Sequence, residues 1–220
     1  IAAKYYAMIT HLDAQIGRIL DTLKKTGQMD NTIIVFSSDN GMAVGNHGLL
    51  GKQNVYEHST KVPLIVAGPG IAKNEKRDQL CYMYDIMPTL FDLVGVNTPD
   101  TVQYKSMIDV LKNKDAEHRD HLYFAYMYWQ RAVRDDRYKL IEYCVEGKRH
   151  TQLFDLKNDP NELKNLAGDP HHADVLKRLR ELLKTERVRL NDGNTGYEFT
   201  TEQGKKFWST YESVEETMTP

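Results

Sequence analysis

A carboxylate and an amide follow a short apolar strand near the start of the chain. The run 33–36 (IIVF) is continuous and largely β-branched, like the strands buried on both faces of a parallel α/β sheet. Asp39 and Asn40 follow it, where such strands deliver functional side chains. Their oxygens suit a hard divalent cation, Ca²⁺ or Mg²⁺, and Gly41 would let the chain turn so that both reach one ion. The alternative interpretation is a simple Asp-Asn-Gly turn.

A cation follows in the segment HGLLGKQ, residues 47–53, beside a backbone made flexible by two glycines. The charge of Lys52 could hold a tetrahedral anion there. The segment is not a Walker A phosphate loop, because Asn46 stands where the first glycine is required and Gln53 follows the lysine. The sequence therefore disfavours nucleotide binding.

His47, at the start of this segment, has two interpretations. It could donate a proton to a leaving oxygen or hydrogen-bond the anion, or it could be an ordinary surface-loop histidine. Tyr56, Glu57 and His58 further along are interpreted as structural.

The elements that must position these residues follow from the hydrophobic pattern. Apolar residues at helical spacing predict an amphipathic helix over residues 4–26, which leads into the strand before Asp39. The apolar run 62–67 predicts a second buried strand, and Asp85 is expected to cap a helix that ends at Val94. This order of elements indicates a mixed α/β sandwich.

The second half of the chain has a different pattern. After a short helix near 106–112, alternating residues and charged turns predict a small antiparallel sheet. Its strands are expected near 121–127, 131–135, 137–144 and 150–155. A helix from Ala173 to Leu190 has an apolar face that would pack on this sheet.

Composition excludes several classes of partner. The chain has 220 residues, of which 40% are hydrophobic, enough for one sizeable core and a small second unit. Its net charge of -2 indicates no attraction to nucleic acid or to a membrane surface. No apolar run approaches the roughly 20 residues that span a bilayer. The two cysteines, Cys81 and Cys144, are predicted to be buried thiols.

Several motifs together resemble a known family. In chain order they are SDNG, HGLLGKQNVYEHS, KVPLIVAGPGI, YDIMPTLFDLVGV, RAVRDDRYKLI and QLFDLKNDPNELKNLA. They are similar to the C-terminal half of a type I, formylglycine-dependent sulfatase of the alkaline phosphatase superfamily. The likeness runs from Tyr5 to about Leu190, and ordered motifs are far more specific than any single one.

The resemblance implies an α/β fold. It consists of part of an alkaline-phosphatase-like mixed sheet sandwiched by helices, plus a small C-terminal antiparallel sheet with a packed helix. Residues 1–118 would belong to the catalytic α/β domain, 119–192 to the small sheet subdomain, and 193–220 to a tail.

The resemblance also implies roles for four residues. Asp39 and Asn40 match the second pair of calcium ligands, and Lys52 matches the lysine that contacts the sulfate and its bridging oxygen. His47 matches a substrate or sulfate contact found in part of the family. Asn40 favours a sulfatase and Ca²⁺, because related phosphonate and phosphate hydrolases often place histidine there, with a softer metal. Mg²⁺ is the less favoured alternative ion.

Two parts of the family pattern are missing from this sequence. It has neither the C/S-x-P-x-R motif that yields formylglycine nor the first Asp-Asp calcium pair. We therefore expect a fragment, with formylglycine in the missing N-terminal part. Alone it should bind calcium weakly and hydrolyse no ester.

The implied partners are a sulfated carbohydrate or aryl sulfate ester and the remaining N-terminal half of the same enzyme. The family implies a periplasmic or secreted location. Two alternatives stay open at this point. One is a phosphoesterase or phosphonate hydrolase of the same superfamily, and the other is a non-catalytic relative that binds sulfated glycans.

Aromatic residues suggest further substrate contacts. One set, where the family's small sheet approaches the cleft, comprises Tyr126, Tyr128, Trp129 and Arg131. A half-buried sheet would show the same residues. The tail carries Tyr197, Phe199, Phe207, Trp208 and Tyr211, which would either line a sugar-binding rim or dock the terminus on the protein.

Overall fold

The computed structural model describes residues 2–145, 148–192 and 216–217. The helices are α1 (Ala2–Lys25), α2 (Glu57–Thr60), α3 (Ile86–Val94), α4 (Ile108–Lys112) and α5 (Ala173–Arg189). The strands are β1 (Ile34–Ser37), β2 (Ala43–Val44), β3 (Leu50–Gly51), β4 (Leu64–Ala67), β5 (Leu122–Tyr126), β6 (Gln130–Arg134), β7 (Tyr138–Val145), β8 (Lys148–Asp155) and β9 (Glu216–Thr217). Within the described ranges, every helix is too short or too polar to cross a membrane.

The chain divides into two compact units. The first comprises Ile1–Gly51 and Val62–His118, and the second comprises Lys52–Lys61 and Arg119–Pro220. Residues 52–61, expected in the first domain, therefore pack with the second unit. The predicted domain boundary after residue 118 stays a prediction. The aromatic residues of the tail lie outside the described residues.

The first unit contains the predicted helix and two strand pairs. The helix predicted over residues 4–26 is present as α1 (Ala2–Lys25), but none of its side chains is buried. Strand β1 pairs antiparallel with β4, and Phe36 is exposed, so the prediction of a buried strand in a parallel sheet is wrong for this pair. A short apolar run does not by itself specify the direction of its neighbour. Gly68 ends β4 so close to β1 that a Cβ there would lie 2.9 Å from Ile33 Cα.

Asp85 has a different role from the predicted helix cap. Its backbone is already helical, with φ -67° and ψ -15°, and its side chain makes no capping bond to α3. The buried carboxylate instead accepts hydrogen bonds from the backbone N–H groups of Tyr82 (2.8 Å) and Lys105 (3.1 Å). His118 Nε2 lies 3.3 Å from it, so one side chain joins three segments of this unit.

The second unit is built on a five-stranded sheet in the order β5-β6-β7-β8-β9. It is antiparallel from β5 to β8, and β9 pairs parallel with β8. Adjacent residues of a strand point to opposite faces. One face packs on α5 through Val133, Leu140, Leu153, Leu179 and Leu183. The other packs on the segment 52–61 through Val55, Tyr56, Ala132, Ile141 and Phe154.

The predicted α/β fold class is confirmed by the mixed architecture of helices and small sheets. The cysteines follow expectation in part, because Cys144 is buried and Cys81 is half-buried, with no disulfide between them. Burial raises the pKa of the Cys144 thiol to about 11.

Candidate functional site

The proposed metal ligands lie just beyond the end of β1. Asp39 and Asn40 are both exposed. The backbone N–H of Asn40 donates to Asp39 Oδ1 (2.8 Å), and Ser38 Oγ donates to the Asn40 carbonyl (2.8 Å). These local bonds accompany a bend at Asp39, and the φ of Gly41 is not positive. The segment is thus a bend with two adjacent, exposed, oxygen-bearing side chains.

The donor set of this turn fits a hard cation. It offers carboxylate and amide oxygens, whereas Ca²⁺ takes six to eight oxygen ligands. Within the described ranges, no group of three or more histidine, cysteine, aspartate or glutamate side chains is gathered around a common point. Asp39 and Asn40 therefore fit part of an oxygen-ligand shell, and the remaining ligands of such a shell would have to come from other groups.

His47 lies in a tight loop between β2 and β3. The loop is closed by hydrogen bonds from Gly45 N to Leu49 O (2.9 Å) and from Leu49 N to Asn46 O (2.8 Å). His47 is half-buried and has a left-handed backbone, with φ 53°. Histidine is among the few residues besides glycine found there, and such strained positions cluster at functional sites. The sequence named this residue but gave no sign of its backbone conformation.

Lys52 directly follows β3 and is the first residue of the second unit. Its side chain is exposed, and its backbone N–H donates to Gln53 Oε1 (3.1 Å). The residues predicted from sequence are therefore divided between the units. Asp39 and Asn40 are brought together in the first unit, which also holds His47, and Lys52 belongs to the second.

The segment that begins with Lys52 is anchored on the sheet of the second unit. The Tyr56 hydroxyl donates to Gln152 Oε1 (2.8 Å), and the Tyr56 ring lies 6.1 Å from the ring of Phe154. Farther back, Gln130 Nε2 donates to the carbonyl of Gln53 (3.4 Å). The interpretation of Tyr56 as structural agrees with this buried position.

A buried charged group lies next to this anchor. We call it the clamp, and it consists of Glu57, Lys139 and Glu162. Lys139 is fully buried, and its Nζ lies 3.1 Å from Glu57 Oε1 and 3.0 Å from Glu162 Oε1. Glu162 Oε2 also accepts the backbone N–H of Glu57 (2.6 Å). Arg134 Nη1 donates to Glu57 Oε2 (2.9 Å), so two cations face two carboxylates.

The two carboxyl groups of the clamp differ in acidity. Burial raises the pKa of Glu57, but the charges of Lys139 and Arg134 outweigh it and leave the pKa below its ordinary value. Burial holds the pKa of Glu162 above its ordinary value, because Lys139 offsets it only in part. Sequence reasoning missed the clamp because Lys139 and Glu162 lie 82 and 105 residues from Glu57 along the chain, and no local pattern connects them.

The candidate substrate contacts in and around the β5–β6 turn are of two kinds. Tyr126, Tyr128 and Trp129 are half-buried around the β5–β6 turn, with the Tyr128 and Trp129 rings 4.7 Å apart. Arg131 is buried, and its Nη2 donates to Asp192 Oδ1 (2.9 Å) while its Nε donates to Oδ2. The guanidinium of Arg131 is thus engaged by a carboxylate, which favours a structural role for it.

Comparisons with known proteins cover most of the chain. A family model described as N-sulphoglucosamine sulphohydrolase, C-terminal, matches residues 45–189. An arylsulfatase of Clostridium perfringens is 33% identical over 200 residues, which are 88% of this chain and 41% of that protein.

Solved structures agree with these matches. One is of a protein in complex with its substrate, D-glucosamine-2-N,6-O-disulfate. It has a TM-score of 0.78 and 31% identity, over 84% of this chain and 40% of that one. A phosphonate monoester hydrolase from Silicibacter pomeroyi has a TM-score of 0.71 and 30% identity, over 82% of this chain and 39% of that one. The chain thus spans about two fifths of the length of these relatives.

Proposed function

This chain belongs to the sulfatases, in the family defined by the C-terminal region of N-sulphoglucosamine sulphohydrolase, and we propose that it supplies the C-terminal part of a sulfuric ester hydrolase. The predicted resemblance is thereby confirmed. The observation that carries the proposal is the family match over residues 45–189, which includes His47 and Lys52.

We assign four residues of this chain to binding the sulfate ester and stabilising its negative charge. Lys52 would contact the sulfate and stabilise the negative charge that develops on the bridging oxygen as the S–O bond breaks. His47 would hydrogen-bond the sulfate or protonate the leaving oxygen. Asp39 and Asn40 would provide two oxygen ligands of Ca²⁺. When bound, the ion supplies positive charge that polarises the sulfate oxygens. A formylglycine outside these residues would provide the nucleophile.

We propose a sulfated carbohydrate as the substrate, with an aryl sulfate as the alternative. The support comes from two relatives, one solved with a glucosamine disulfate and one named an arylsulfatase. A periplasmic or secreted location, and an N-terminal half of the same enzyme as partner, are proposals from the family. Inactivity of this chain alone also stays a prediction.

Hydrolysis of phosphonate monoesters is the second candidate function. The similarity to a phosphonate monoester hydrolase at a TM-score of 0.71 favours it. Asn40 argues against it, since the related hydrolases often carry histidine at this position. A non-catalytic protein that binds sulfated glycans is the third candidate, and any turnover that depends on Lys52 would exclude it.

The test is the substitution Lys52→Ala in the full-length protein, assayed with 4-nitrophenyl sulfate and with the corresponding phosphonate monoester. We expect kcat for the sulfate ester to fall about a hundredfold or more, because one preorganised charge partner of the transition state is removed. Lys157→Ala removes an exposed lysine of the same unit and should leave the rate unchanged. An unchanged rate in Lys52→Ala would reject the proposed role, and a preference for the phosphonate would favour the second candidate.

A further inference from the structure

The segment that carries Lys52 has little regular structure of its own. Its only helix, α2, has four residues, too few to be stable without other contacts. Asn54, Val55 and Tyr56 are buried within the second unit. The position of this segment is therefore determined by its contacts with the sheet beneath it.

The clamp is the charged part of those contacts. Lys139 comes from β7, Glu162 from the turn after β8, and Glu57 from α2, so three separate pieces of chain meet at one ammonium group. Burying such charges is costly, and apolar residues of the same volume often stabilise a fold as well or better. Their hydrogen bonds do, however, specify one arrangement of the groups that they join.

Glu162 is also held in an unfavourable backbone conformation. Its φ is 57°, in the left-handed region that costs most residues roughly 1 kcal/mol or more. In this position its two carboxylate oxygens reach Lys139 Nζ and Glu57 N. The strained backbone of Glu162 thus accompanies contacts of its carboxylate with both Lys139 and the first residue of α2.

We propose that Lys139 is a positioning residue for the hydrolysis of the sulfate ester. By bridging Glu57 and Glu162 it fixes the segment 52–61, and so the place of Lys52, five residues before Glu57. This inference rests on the proposed function, because it needs Lys52 to contact the sulfate. A displacement of about 1 Å in such a group can reduce the rate about a hundredfold.

The experiment is a double-mutant cycle in the full-length protein with Lys139→Met, Lys52→Ala and the double variant. We expect Lys139→Met to lower kcat about ten- to a hundredfold with little change in KM, because the lysine is displaced rather than removed. In the Lys52→Ala background the same substitution should cause no further loss. Lys139→Arg, which keeps the charge, should restore part of kcat.

Arg137→Met is the matched control. Arg137 lies two residues from Lys139 but is exposed, and it pairs with Asp155 outside the clamp. Its effect on kcat should be small in both backgrounds. Circular dichroism and thermal unfolding establish that each variant is folded. If Lys139→Met does not fold, Glu162→Gln replaces it in the cycle, since it keeps an acceptor for Glu57 N while removing the charge that faces Lys139.

The outcomes separate the two proposals. Losses that multiply in the double variant would show that Lys139 acts independently of Lys52 and would overturn the inference, as would an unchanged kcat in folded Lys139→Met. A full rate in Lys52→Ala alone would instead show that the proposed function of Lys52 has failed.

Discussion

The two units differ in how their apolar residues are used. In the second unit the sheet has a buried cluster on each face, one against α5 and one against the segment 52–61. In the first unit the described residues form no such cluster, and α1 leaves Tyr6, Met8, Ile9, Leu12 and Ile19 exposed. This difference shows that apolar residues at helical spacing predict the helix itself, but not which surface packs against its apolar face.

The first unit has a small buried polar centre. Asp85 is fully buried and joins Tyr82, Lys105 and His118, and the Thr89 hydroxyl accepts the backbone N–H of Met107 (2.8 Å). Burying a polar group without a partner is costly, so these bonds stabilise the folded unit. The following substitutions test this contrast.

The largest effect is expected in the core of the second unit. Leu179→Ala removes a fully buried side chain between α5 and the sheet and should lower the free energy of unfolding by about 2–5 kcal/mol. Leu12→Ala on α1, whose side chain is 52% exposed, should change it by no more than about 0.5 kcal/mol. Urea denaturation of the 220-residue chain measures both. Equal losses would remove the contrast between the units.

An intermediate effect is expected at the polar centre of the first unit. Asp85→Ala leaves the N–H groups of Tyr82 and Lys105 without their acceptor and should destabilise this unit by about 1–3 kcal/mol. Amide hydrogen exchange at Tyr82 and Lys105 should speed up. Asp92→Ala, an exposed aspartate on α3, provides the control. Protected amides in Asp85→Ala would show that the unit is held by other contacts.

The smallest effect is expected at the Arg137–Asp155 pair of the second unit, as a pH dependence. Hydrogen bonds from Arg137 lower the pKa of Asp155 to about 2, against an ordinary value of 3.8. A lowered carboxyl pKa stabilises the folded state above the ordinary value, and this contribution is lost as the pH falls towards 2. Arg137→Met should therefore weaken the pH dependence of stability between about pH 4 and 2. Identical acid-unfolding curves for the unsubstituted protein and Arg137→Met would exclude the Arg137–Asp155 pair as a contributor to the pH dependence of stability.

The second unit could be predicted well from sequence because its signals are local. Its four antiparallel strands alternate along the chain and are separated by charged turns, and α5 places Leu179 and Leu183 at helical spacing. The hairpin of β2 and β3 was not predicted, because two-residue strands have no periodicity. The residue type and place of Asp85 predict a helix cap, whereas its backbone hydrogen-bond partners, Tyr82 and Lys105, lie 3 and 20 residues away.

The candidate site was predictable only as far as its motifs are continuous. Asp39, Asn40, His47 and Lys52 could be named because they lie within 14 residues and match an ordered family pattern. Lys139 and Glu162 could not, since their relation to Glu57 exists only after the sheet has formed. The sequence suggests a substrate contact at Arg131 because its carboxylate partner, Asp192, is 61 residues away along the chain.

The enclosure of Lys139 has a consequence for its chemical reactivity. Acylating reagents attack an unprotonated, accessible amine, and the Lys139 ammonium is inaccessible and held between two carboxylates. Lys61 and Lys157, by contrast, are exposed, so reagents in solution can reach their amines. Acylation followed by peptide mass spectrometry would therefore label those two first, and modification of Lys139 would report the moment at which the segment 52–61 separates from the sheet.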